Sequence, residues 1–242
     1  MRGPPIKKLS CRGPDQSLKW RILIRKRAFN LEEEALLASG IRERSKIFFY
    51  LAELDRIYQQ FLHQMSLPPD PVEKAKALFT WLWISKPNRY KPQGNYRLNE
   101  VIEAQVKKGD HSVGNCLGLT LLYNCLLRKM DIYAEALYLE NAFGIGPHVL
   151  TLLQTEKSFL DVENILVDGF IYIGHLNDPL RTRWGDRETV ADIYHSVGNE
   201  LYEEGDFIEA LKNYDAAITF NPKYEKARLN KAILLDKMAK ER

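Results

Sequence analysis

Apolar residues recur along this chain with two periods, and the changes between them mark its parts. From Leu18 to Arg27, Trp20, Ile22 and Ile24 alternate with Lys19, Arg21 and Arg25, which predicts an edge strand with one solvated face. From Leu31 to Met65 the spacing turns helical, with Ile47, Leu51, Leu54, Tyr58, Phe61 and Leu62 on one face. Pro68, Pro69 and Pro71 end that pattern; Asp70 reads as the cap, and Pro71 as the first position, of a helix running on through Val72 to Ser85. A polar loop at 86–97 precedes a short amphipathic helix carrying Leu98, Val101, Ile102 and Val106, and Leu117 to Met130 predicts a strongly apolar helix. β-Formers then dominate Ile132–Glu140, Val149–Leu153 and Ser158–Val162, the last two joined by a turn at 154–157. Helices followed by antiparallel strands predict an α+β fold with helices packed on one side of a sheet. Residues 164–186 show no period and are expected to run over the surface.

The helical period returns at Ala191. Tyr194, Val197, Gly198, Leu201, Gly205, Ala210, Tyr214, Ala217 and Pro222 place large residues, small helix-contact residues and a closing proline in a spacing that resembles a tetratricopeptide repeat. Tyr224 to Lys240 follows as a capping helix. Such arrays need about three repeats to bury their own apolar face, so this hairpin must pack on the main domain or on another subunit. The chain thus divides into an arm at 1–30, a main domain at 31–186 and a helical segment at 187–242.

Charge changes the picture at one end. Of 35 basic and 32 acidic residues in the 242-residue chain, nine and one lie in residues 1–30, which leaves 26 and 31 in the rest. The globular part is therefore mildly acidic and carries no nucleic-acid footprint. No apolar run approaches the about 18 residues of a membrane span. Cys11, Cys116 and Cys125 make no disulfide framework for a chain of this size, which points to a reducing, cytoplasmic setting.

The candidate chemistry lies between Ser112 and Asp161. Cys116 starts a helix, where unpaired N–H groups favour an anion and can receive an oxyanion. His148 opens the strand HVLTLL and Asp161 ends the strand SFLD. If the turn sets Leu153 opposite Ser158, Leu150 faces Asp161, and His148 and Asp161 become diagonal neighbours on one face. A thiol, a base and an orienting acid form the set that nucleophilic catalysis requires. Gln93, Asn95 and Asn99 are candidate second oxyanion donors, although a solvated loop suits each; His175 and Trp184 are candidates to line the cleft, although surface packing is the preferred reading. His111, Cys116, His148 and Asp161 contain no close-spaced pair of zinc ligands.

At these residues the chain resembles the transglutaminase-like superfamily of cysteine enzymes. GNCLGLTLLYNCLLRKMDIYAEAL is similar to its cysteine helix, PHVLTL to its histidine strand and FLDVEN to its aspartate strand. YRLNEVIEAQVKKGDHSVGNC, with the repeat-like segment, resembles the bacterial branch that joins such a domain to tetratricopeptide repeats. The resemblance implies a papain-like α+β core with Cys116, His148 and Asp161 as catalytic residues, no metal or cofactor, and a protein or peptide substrate. Val149 and Leu150 stand where many members have an aromatic residue, and Val162 where a proline is frequent. Two functions follow as expectations: acyl transfer at an amide or peptide bond, or a catalytically silent scaffold that binds a protein through its helical segment.

Overall fold

The computed structural model describes residues 29–109 and 111–240. The basic arm and the strand expected at Leu18–Arg27 lie outside them. The stretch expected to be helical over 31–65 is two helices, α1 (Leu31–Ala38) and α2 (Arg44–Gln64). Gly40 makes the break: its φ of 91° is left-handed, and the Ile41 N–H turns back to Leu36 O at 3.0 Å, closing the helix end. α3 (Pro71–Ser85) starts as the sequence dictates, with the Asp70 carboxylate accepting from Glu73 N–H at 2.9 Å. α4 (Leu98–Val106) and α5 (Cys116–Arg128) follow.

The sheet has four strands, β1 (Ala134–Ala142), β2 (Gly146–Gln154), β3 (Phe159–Val162) and β4 (Thr182–Trp184), in the order β3-β2-β1-β4 and antiparallel throughout. α5 lies against β2 and β1, and Leu119, Leu122, Tyr123 and Leu126 are fully buried beneath it. Tyr123 also reaches α3, donating its hydroxyl to Ala75 O at 2.8 Å. The result is α+β, as expected. β4 had no signal in the sequence because three residues are too few to show a period.

Helices α6 (Asp186–Glu204), α7 (Phe207–Phe220) and α8 (Glu225–Lys240) complete the chain. Gly198 lets α6 and α7 meet, since a Cβ there would lie 2.7 Å from the Tyr214 ring. These helices share a core with the sheet: Ala191, Ala217, Tyr224 and Ala227 pack with Ala136, Tyr138, Val149 and Trp184. Trp184, expected at the surface, is buried and stacks on Tyr138 at 4.2 Å. The short hairpin therefore buries its apolar face on the main domain, and the described residues from Leu31 onward form one compact unit. Among the described residues, no helix is long and apolar enough to cross a membrane.

Candidate functional site

Asn115 caps α5, accepting from Gly118 N–H at 3.1 Å, which places Cys116 at the first helical position and partly exposed. The loop at 86–97 forms a brace beneath it. Val113 and Gly114 N–H groups donate to Arg89 O, and Asn115 N–H to Asn95 O at 3.0 Å. Gly118 permits this contact: a Cβ there would meet Asn95 O at 2.3 Å. The Asn95 side chain donates to Val113 O at 3.1 Å and thus holds the loop rather than aiming at the thiol, while Gln93 is exposed.

A buried polar network aligns the cysteine helix with the histidine strand. Cys116, Thr120 and Asn124 lie at four-residue spacing on one helical face. The Thr120 hydroxyl donates to Val149 O at 3.2 Å, Thr151 donates to Asn124 Oδ1 at 2.7 Å, and Asn164 Nδ2 donates to both threonine hydroxyls. These polar residues in an otherwise apolar helix were the legible sign of that face, and sequence reasoning passed over them.

His148 is buried and hydrogen-bonded to Glu163, whose Oε2 lies 2.8 Å from Nε2, and it lines the same cleft as Cys116. Asp161, expected in that role, is elsewhere engaged: Arg181 donates to both of its oxygens, at 2.8 and 2.9 Å. The reason is register. Leu152, not Leu150, faces Asp161, and Gln154 faces Phe159. A two-residue shift keeps the face and changes the neighbour, so continuing the ladder makes Glu163 the diagonal partner of His148. The turn shifts with it, closed by Thr155 N–H to Ser158 O at 2.9 Å.

Residues 164–181 cover this cluster. His175, expected at the surface, is buried, with Nε2 3.4 Å from the same Glu163 Oε2 but without hydrogen-bond geometry. Asp161 acts at one remove, because Arg181 also donates to His175 O at 2.7 Å. Phe143 (φ 54°) in the β1–β2 turn and Ile171 (φ 60°) hold left-handed backbone on either side. Phe143 sets its ring edge-on to His148 and His175, and Tyr172 stands 5.0 Å from His175.

The electrostatics follow from these contacts. Burial works against the charged form of His148, but the hydrogen bonds and charges of Cys116 and Glu163 outweigh it and raise the imidazole to about 9. Burial pushes Glu163 up, while the hydrogen bond and charge of His148, with the close approach of His175, prevail and hold it below the usual carboxylate range. Tyr90, paired with Gly114 across the brace, is raised by burial and by the charges of Cys116 and Glu163, so it stays a protonated donor. As for metal ligands, His111 turns away to Ala104 O at 3.1 Å and Asp161 is held by Arg181, so the four residues weighed from sequence do not assemble. His148, Glu163 and His175 do, with ligand atoms all within 4.8 Å of one another.

Cys116 and His148 open into a cleft of about 200 Å³ whose far wall is helical, formed by Asp192, His195 and Asn199 of α6 and Tyr224 and Lys226 of α8. Part of that wall matches a known family. A family model described as a TPR repeat matches residues 198–238. The C-terminal helices carry a TPR repeat. Comparison with curated proteins and with solved structures returns no match. A TPR repeat is a protein-interaction element, and here its Asn199, Tyr224 and Lys226 line the cleft that holds the thiol.

Proposed function

We propose that this chain is a cysteine acyl-transfer enzyme acting on amide or peptide bonds, with Cys116 as nucleophile, His148 as proton carrier and Glu163 as the orienting acid. The observation that carries this reading is His148, which is hydrogen-bonded to a buried carboxylate and lines one cleft with the Cys116 thiol. Because Glu163 takes Nε2, Nδ1 is the nitrogen left for sulfur. Sulfur, its proton held on Nδ1 of His148, attacks the carbonyl carbon, and the carbonyl π-electrons move to oxygen. That oxyanion lies at the start of α5, where the Cys116 and Leu117 N–H groups precede the first helical bond, Leu119 N–H to Asn115 O. Nδ1–H passes its proton to the leaving amine as the C–N bond breaks, giving a thioester. Water or an amine then attacks the thioester, His148 takes its proton, and sulfur departs as thiolate. The likeness of these segments to the transglutaminase-like superfamily supports the same chemistry, with Glu163 in place of its aspartate. The TPR wall favours a protein or peptide substrate.

The test is the rate of Cys116 alkylation by iodoacetamide at neutral pH, read by mass spectrometry. A rate well above that of an ordinary exposed thiol, lost on His148→Ala, supports the reading; equal rates in both proteins count against it.

A second reading, a silent scaffold, is favoured by the exposed Ile208, Leu229, Ile233 and Leu235 on the TPR helices. Removing those helices would uncover Tyr138 and Val149, so point changes are the sound test. A stoichiometric partner retained by Cys116→Ala and lost by Leu229→Glu would support it; retention by Leu229→Glu would weigh against it.

A further inference from the structure

Two buried imidazoles facing one carboxylate oxygen are more than a catalytic acid needs. His148 Nε2 already satisfies Glu163 Oε2 at 2.8 Å, yet His175 Nε2 lies 3.4 Å from the same atom and is buried with no hydrogen-bond partner. A residue only 6 % exposed with an unpartnered ring nitrogen is the kind of exception that calls for a ligand.

We propose that His148, Glu163 and His175 form a binding site for a divalent transition-metal ion of the zinc class. The donor set is right: two imidazoles and one carboxylate bind zinc in sites that keep positions open for water. The spacing fits as well. Two ligands each about 2.0–2.1 Å from a tetrahedral ion stand about 3.4 Å apart, which is the His175–Glu163 separation as it stands. The His148–Glu163 pair needs to open from 2.8 Å, and the remaining pair, at most 4.8 Å apart, needs to close. The supports are those a metal site requires. Ile165 N–H holds the other Glu163 oxygen at 3.4 Å, leaving Oε2 directed at the imidazoles. Asp161, through Arg181, fixes the backbone of His175. The Phe143 and Tyr172 rings flank His175 and limit water.

Metal binding and acyl transfer compete for one atom. With Nε2 of His148 on the ion, Nδ1 carries the remaining ring proton and has no lone pair for the proton of an attacking water or amine. The ion therefore holds the site in a state that cannot complete turnover, and its entry displaces the Nε2 proton to solvent. Binding itself requires no turnover, so a zinc titration succeeds or fails independently of the reactivity of Cys116.

The experiment strips the full chain with a chelator and titrates it with Zn²⁺ against a chromophoric competitor. One ion per chain is expected, with affinity weakened by roughly 100-fold or more in Glu163→Gln and His175→Gln, beyond what loss of a merely supporting residue brings, and unchanged in Cys116→Ser. In the unaltered protein, Co²⁺ should show four-coordinate visible bands without thiolate-to-cobalt charge transfer, a reading that needs no variant to fold. Affinity that survives His175→Gln, absence of stoichiometric binding, or a thiolate charge-transfer band lost in Cys116→Ser would overturn the site.

Discussion

Two buried histidines line the same cleft and are held in opposite states. His148, on the sheet, is raised to about 9; His195, on the TPR wall, is lowered to about 4. Both are desolvated, which alone disfavours charge. The difference lies in what each ring nitrogen meets. His148 bonds directly to Glu163, and Cys116 adds to the upward shift. His195 accepts from Asn230 Nδ2 at 3.1 Å on one nitrogen and meets the Tyr224 oxygen at 3.2 Å on the other, with the Lys226 charge adding to the cost of protonation. Its nearest acid, Asp192, is 3.9 Å away, takes the Tyr224 hydroxyl instead, and is itself raised by burial to about 6. Burial therefore does not decide whether a histidine is charged; an ionised, directly bonded partner does.

The largest effect separates the two imidazoles by function. His148→Ala should slow Cys116 alkylation by about 10²- to 10⁴-fold, the range of a general base, while His195→Ala should leave the rate within about twofold, since His195 lies on the opposite wall and its ring nitrogens are taken by Asn230 and Tyr224. Equal losses would erase the distinction.

Stability against pH sharpens it next. With a chelator present, His148 contributes fully below the unfolded value near 6.5, and its contribution is lost as pH rises through about 9. On the TPR wall the signs oppose. Between about pH 4 and 6 the unfolded chain protonates His195 while the folded chain protonates Asp192, and the two nearly cancel. Asp192→Asn should expose the His195 side alone, with stability falling on acidification by up to about 1.4 kcal/mol per pH unit; His195→Gln should reverse the slope. Chemical denaturation across that range reads both, and parallel curves would show that neither shift exists.

Smaller effects test the alignment of the cysteine helix. Gly118→Ala forces a Cβ into Asn95 O and should cost about 1–3 kcal/mol by thermal denaturation. Asn164→Ala leaves the Thr120 and Thr151 hydroxyls one donor short and should cost about 1–3 kcal/mol, with slower Cys116 alkylation as helix and strand lose their tie. Full retention of stability and rate in either variant would remove that alignment from the account.

Much of this was legible in the chain. The helix starts at Asp70 and Asn115, the strand order of types and the small residues of the repeat all follow local chemistry, and Cys116 and His148 stand out as thiol and imidazole beside signals for a helix start and a strand start. The proposed third member, Glu163, was not legible, for a physical reason. Period two fixes which face a residue occupies, and Asp161 and Glu163 share it; only the turn closed by Thr155 and Ser158 selects between them. Residues 164–181 were opaque because long-range bonds such as Arg181 to Asp161, Tyr172 N–H to Asp161 O and Glu163 N–H to Gly169 O give them their shape, and no periodicity records those. His175 was therefore invisible as a neighbour of Glu163.

The most direct test of the central claim compares Cys116 alkylation in Glu163→Gln and Asp161→Asn across pH 5 to 10, with circular dichroism confirming that both are folded. Glu163→Gln should lose roughly 10²-fold at neutral pH, the lower end of a base's contribution, and the midpoint set by His148 should move down from about 9. Asp161→Asn should keep most of the rate and the midpoint. The reverse pattern, with Asp161→Asn impaired and Glu163→Gln unchanged, would contradict the assignment of Glu163.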